Sequence, residues 1–266
     1  MSRAMLCEVA SERAFLGTVA MIFAAGAAVT IVGGASMSAG EGMAMPGEWT
    51  MSMAWMRMPG QSWLAAGASF LGMWAAMMVA MMMPSLVPML QRYRDAIGRA
   101  GARRRGRLTA LVGLGYFAVW LLLGVVVFPL GVTLAAALMR RQALAQAVPL
   151  TCGAVVLVAG ALQFTKWKAQ RLACCREAPR PGSALPANGW TAWRCGLRLG
   201  RHCGLCCGEM TAILLVSGVM DPRVMALVTA AITAERLAPA GERVARAIGA
   251  VVVAAGAFLI ARAAGL

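Results

Sequence analysis

The chain has 266 residues, 61% of them hydrophobic and 13% charged, with a net charge of +15 and a mean hydropathy of +0.73. A soluble domain is about half apolar and about a quarter charged, so these values exclude an ordinary soluble fold and point to an all-α, polytopic helical membrane protein. The excess of arginine does not imply a nucleic-acid partner, because no binding fold remains once the apolar runs are set aside.

A backbone in the bilayer core must satisfy its own hydrogen bonds, so apolar runs of roughly 20 residues are read as spanning helices. Seven spans are expected within a single transmembrane domain over 1–266: 14–35, 63–90, 108–135, 148–166, 203–220, 224–238 and 246–264. The first is about twice as long as a signal-peptide core and is kept as a span. The sixth is short and could be re-entrant.

The basic residues orient these spans. "QRYRDAIGRAGARRRGR", between spans two and three, carries seven arginines and one acid, and 166–201 carries eight basic residues and Glu177. A cytoplasmic N-terminus puts 20 of the 25 basic residues inside, as the positive-inside rule requires. Residues 91–107 and 167–202 are then basic cytoplasmic loops, and 36–62 is an extracytoplasmic loop. The expected setting is a bacterial inner membrane, with the lipid bilayer as the first partner.

Methionine is concentrated early in the chain: 14 of 21 lie between Met37 and Met89. The loop "SMSAGEGMAMPGEWTMSMAWMRMPGQS" holds the M-x-M pairs Met43/Met45, Met51/Met53 and Met56/Met58. Such pairs let two thioethers approach one ion, and thioether is a soft ligand that selects Cu(I). The competing reading is a loop folded back as a cap, with methionine as adaptable filler. In span two, Met73, Met77 and Met81 recur every four residues and climb one helix face, with Met78 and Met82 beside them. They form either a ladder of weak soft ligands or a packing stripe.

Six of the eight cysteines fall between Cys174 and Cys207, and the only histidine stands in "RHCGLCCGEM". A reducing cytoplasm argues against structural disulfides. Cys203, Cys207 and Met210 share one helical face, with Cys206 and His202 close by, and Cys174 and Cys175 precede them. Thiolates with a thioether suit Cu(I), or alternatively zinc. Glu209 is an acid near the membrane, able to neutralise a cation, couple a proton or pair with an inner-loop arginine. Asp221 is a second candidate charge partner. Glu235 and Arg236, at the end of span six, are read as a structural pair.

Several of these motifs resemble a known family. Trp74, Met77, Met78, Ala80, Met81, Met82, Pro84 and Ser85 are similar to a "W-x-x-M-x-x-A-M-M-x-P-S" pattern with slightly different spacing. "LQFTKWKAQRLACCREAP", a double cysteine opening a span, and "G-V-M" followed by "E-R-x-x-P" complete the likeness. The pattern resembles a bacterial domain-of-unknown-function family of predicted metal-binding integral membrane proteins, sometimes labelled copper chaperones. The likeness is read from the methionine loop to the last span. It departs at the adjacent pair Cys174 and Cys175, where a spaced pair is usual, and at Gly208 and Glu209, where tryptophan is usual.

The expectation is a protein that captures Cu(I) on the methionine loop and passes it to the cysteine-rich end. The ion would then cross, or be delivered to a periplasmic or membrane metalloprotein or metallochaperone. No catalytic or ATP-binding motif is found, so an enzyme is not expected. Two alternatives are weighed: a membrane thiol-disulfide oxidoreductase using the Cys206/Cys207 or Cys174/Cys175 pairs, with Cys203 and Cys206 also at the C-x-x-C spacing that redox pairs favour, and a non-catalytic assembly subunit whose sulfur is packing.

Overall fold

A computed structural model describes residues 3–38, 43–47, 49–57, 60–97, 102–176, 188–219 and 221–265. Among them are eight α-helices: α1 (Arg3–Ser38), α2 (Trp63–Ala96), α3 (Ala102–Arg140), α4 (Gln142–Leu162), α5 (Lys166–Arg176), α6 (Gly189–Ser217), α7 (Pro222–Leu237) and α8 (Gly241–Ala263). Between α1 and α2 lie a short antiparallel hairpin, β1 (Met43–Met45) with β2 (Trp49–Met51), and a 3-10 turn at Met53–Trp55.

Among the described residues, six helices are long and apolar enough to cross a membrane: those over Val9–Gly34, Trp63–Ala96, Arg104–Arg140, Gln142–Leu162, Gly189–Ser217 and Gly241–Ala263. The protein is therefore a multi-pass helical membrane protein, one long crossing short of the seven expected. The missing crossing is α7, whose 16 residues reach only about 24 Å at 1.5 Å per residue. It starts on Pro222, which has no N–H to waste at a helix start. The Asp221 carboxylate caps it, accepting from the backbone N–H groups of Arg223 and Val224 at 2.8 and 3.4 Å.

The helix boundaries also move. The fifth span was expected from 203, but α6 begins at Gly189 with the Asn188 side chain accepting from Thr191 N–H at 2.7 Å. Arg194, Arg198 and Arg201 are exposed while Ala192, Gly196, Gly200 and Cys203 are buried. A hydropathy average discards this amphipathic half-helix, yet its small-residue face packs. The segment expected as a basic loop, 167–202, thus contains α5 and the first turns of α6, and 91–107 contains the end of α2 and the start of α3.

Burial identifies the centre of the bundle. Half of the apolar stretch of α2 and 44% of that of α6 are buried, against 11% in α1 and α3. Helix α3 packs along α6 so closely that a Cβ on Gly196 would sit 2.2 Å from the Val112 carbonyl oxygen, and one on Gly115 would sit 2.6 Å from that of Trp193. Small residues allow this approach where lipid offers no hydrophobic drive between helices. The same contact sets Tyr116 of α3 against the sulfur-bearing face of α6. Helices α4 and α8 meet antiparallel in a similar way through Gly153, Gly160, Gly249 and Gly256.

Candidate metal centre

The i, i+4 spacing of Cys203 and Cys207 puts both thiols on one face of α6, with Sγ atoms 3.8 Å apart. Both are fully buried. Helix α2 presents Met82 to that face, its Sδ 4.0 Å from Cys203 Sγ. Two further groups converge on the same sulfur. The Tyr116 hydroxyl donates to Cys203 Sγ at 3.0 Å, and Arg236 of α7 donates from Nη1 at 3.2 Å.

Arg236 is held in place on its other side. The same nitrogen donates to Ser85 Oγ at 2.8 Å, and Ser85 donates to the Met82 carbonyl at 3.0 Å. Four helices thus build a single buried constellation: Met82 and Ser85 come from α2, Tyr116 from α3, Cys203 and Cys207 from α6, and Arg236 from α7. Glu235 and Arg236 are not the pair that the sequence suggested. Neighbours on a helix point about 100° apart, and here Arg236 goes to sulfur while Glu235 goes elsewhere.

Glu235 belongs to a second buried group. Lys168 of α5 bonds Glu209, and its Nζ lies 2.9 Å from the Glu235 carboxylate and 2.7 Å from the Cys206 carbonyl oxygen. Gln163 donates to Glu235 at 2.8 Å. Burial alone would lower the Lys168 pKa; Glu209 and Glu235 more than reverse this, so the ammonium is held above its ordinary range. Of the roles open to Glu209, ion pairing is the one the contacts describe, with Lys168 of α5 in place of the arginine expected.

Among the described residues, no three His, Cys, Asp or Glu side chains gather as a metal-holding group; the third soft donor at this centre is the thioether of Met82. Met77, Met78, Met81 and Met210 are buried in the surrounding core, and Met73 is half-buried with its Sδ against Gly33 of α1. His202 is half-buried. Cys174 and Cys175 lie on α5, but their side chains are outside the described residues, as is Met58.

The methionine loop folds back on the bundle. Met43 pairs with Met51 across the hairpin and Met45 with Trp49. The Trp49 indole donates to the Ala145 carbonyl at 2.9 Å, and Trp55 lies tilted against Phe70, ring centroids 5.4 Å apart. Met51 is buried, Met45, Met53 and Met56 are half-buried, and Met43 is 41% exposed.

A family model described as PpoB2, copper chaperone, matches residues 71–259. The chain belongs to the PpoB2 copper chaperone family. The matched segment opens in α2 just before Met73 and closes in α8, so it contains the buried sulfur constellation and its four helices. It does not reach the hairpin, so the likeness is narrower at its start than the sequence motifs suggested. Copper is the cargo of a PpoB2 copper chaperone, and a chaperone implies a client protein. The chain matches no curated protein and no solved structure.

Tyr116, Ser85, Arg236 and Lys168 were not singled out as parts of a centre by the sequence. Tyr116 carried one usable signal: it is a lone polar ring in an apolar run, directly after Gly115. Arg236 carried another, an arginine closing an apolar segment beside an acid.

Proposed function

We propose that this copper chaperone holds Cu(I) between Met82, Cys203 and Cys207 and transfers it to a client metalloprotein. The observation that carries the reading is the sulfur geometry. A metal about 2.3 Å from each of two sulfurs, at angles between tetrahedral and trigonal, places those sulfurs about 3.8–4.0 Å apart. The two separations at Cys203 are 3.8 and 4.0 Å. Two thiolates and a thioether suit Cu(I). Structural zinc almost always takes four ligands, and the described centre offers three.

The methionines of α2 support an entry path. Met73, Met77, Met78 and Met81 lie on the way from the hairpin end to Met82, a rise of roughly 13 Å over nine residues. Weak thioethers followed by thiolates give a gradient of affinity without a trap on the way. Met43, Met45, Met51, Met53, Met56 and Met58 act as the capture loop, outside a bacterial inner membrane, and the N-terminus is cytoplasmic. Cys174, Cys175 and His202 act at the delivery end, and Met210 and Cys206 support the centre from within α6. The redox alternative has less support, because it leaves the methionine loop and the approach of Met82 to Cys203 at 4.0 Å without a role.

Anaerobic titration of the purified chain with Cu(I) against a chromophoric chelator tests this. Wild type is expected to withdraw copper from the chelator, and Cys203→Ser with Cys207→Ser is expected to abolish tight binding. A double variant that competes as well as wild type would place the copper elsewhere.

A further inference from the structure

Arg236 is the part of the sulfur centre that cannot be a ligand. Guanidinium has five donors and no acceptor, and it stays protonated at any relevant pH. Yet it is 6% exposed and fixed in place, bonded to Cys203 Sγ at 3.2 Å and to Ser85 Oγ at 2.8 Å. A cation beside a cation site needs an explanation, because like charges in a low-dielectric interior repel strongly.

We propose that Arg236 sets the charge selectivity of the centre, admitting a monovalent soft ion and disfavouring a divalent one. This rests on the reading of Cys203 and Cys207 as ligands. The balance is direct. Two metal-bound thiolates carry −2 and Arg236 carries +1, so the donor set presents a net −1. A monovalent ion makes the assembly neutral. A divalent ion gives the same four groups a net +1, and Arg236 at 3.2 Å from Cys203 Sγ repels it about twice as strongly as it repels a monovalent ion.

Without Arg236 the preference reverses: two thiolates alone are neutralised by a divalent ion. Softness of the sulfurs does not supply this discrimination, since thiolates also take zinc. Ser85 acts as a positioning residue. It ties the guanidinium to the carbonyl of Met82, so the counter-charge and the thioether are fixed by one turn of α2.

The other buried charges among the described residues are held elsewhere, Arg94 against Ser11 and Glu12. Lys168 is engaged by Glu209 and Glu235, and Glu235 also by Gln163. On α6, Glu209 lies well over 90° round the helix from the Cys203 and Cys207 face at 100° per residue. Arg236 is the ionised side chain that the described contacts place on Cys203.

Ag(I) and Cd(II) separate charge from softness, because both are thiophilic d10 ions. The test measures the affinity of each for the full chain in detergent, anaerobically, by competition with thiol chelators. Wild type is expected to favour Ag(I), and Arg236→Gln to lower the Ag(I)-to-Cd(II) affinity ratio by roughly tenfold or more. Arg236→Lys is expected to restore most of it. Ser85→Ala, a milder change that frees the guanidinium, is expected to narrow the ratio partway, and it carries the test if Arg236→Gln does not fold. A general structural role would weaken both ions together and leave the ratio in place; that result overturns the proposal and leaves the sulfur site standing. A ratio that follows Glu209→Gln instead of the Arg236 variants overturns it as well. Failure of wild type to bind Ag(I) or Cu(I) at all would remove the site reading itself.

Discussion

At the scale of single residues, the centre is a set of unequal contributions to one sulfur. Met82 supplies the weakest donor, so Met82→Leu should keep the packing and weaken Cu(I) affinity by about tenfold, measured by chelator competition. Lys168 is different in kind. It is 1% exposed between two carboxylates that are themselves nearly inaccessible, and removing one partner of a buried ion pair leaves the rest uncompensated. Lys168→Met should therefore destabilise the fold by about 3–5 kcal/mol, read as a lower thermal midpoint in detergent. Lys168→Met combined with Glu209→Gln and Glu235→Gln should recover much of that loss; a triple variant as unstable as the single one would show that the charges are not what holds Lys168.

At this scale the sequence revealed the sulfur and concealed its company. The i, i+4 spacing of Cys203 and Cys207 and the stripe from Met73 to Met82 follow from helix periodicity alone. That Tyr116 and Arg236 meet Cys203 does not, because they come from α3 and α7 and their contacts span 87 and 33 positions of chain. Periodicity reports which face of its own helix a residue occupies. It does not report which neighbour that face meets.

Among the elements, α6 shows where hydropathy misleads. Exposed Arg194, Arg198 and Arg201 made the first half of α6 look like loop, while Ala192, Gly196 and Gly200 made it pack. The close contact at Gly196, where a Cβ would lie 2.2 Å from the Val112 carbonyl oxygen, has no flexible neighbour to give way. Gly196→Ala should force α3 away from α6, separate Tyr116 from Cys203, and lower stability and Cu(I) affinity together.

The methionine loop folds back as the cap of the competing reading, with Trp55 against Gly131 closely enough that a Cβ there would lie 2.1 Å from the indole. Capture and capping are compatible, since Met43 remains exposed while Met51 is buried. Gly131→Leu should undock the hairpin, increase amide exchange over 43–55, and leave the affinity of the buried centre within about threefold of wild type.

For the molecule as a whole, six long apolar helices and the short α7 define a bundle in which α2 and α6 are the buried members. The class was legible because apolar length is a physical requirement of crossing a bilayer. The number of crossings was less so, because a 16-residue helix fits a bilayer only if its ends are accommodated by protein. The orientation proposed from arginine placement predicts that an impermeant thiol reagent labels Met45→Cys from the periplasmic side and Arg198→Cys only from the cytoplasmic side, in a background without the native thiols; the reverse pattern would overturn it.

The most direct measurement on the molecule is X-ray absorption at the copper edge of the anaerobically loaded chain. Coordination by three sulfurs, with metal–sulfur distances of about 2.3 Å, falling to two sulfurs in Met82→Leu, is the predicted result. Nitrogen or oxygen donors dominating the copper shell, or a shell unchanged in Met82→Leu and in Cys203→Ser, would contradict a buried site built from Met82, Cys203 and Cys207.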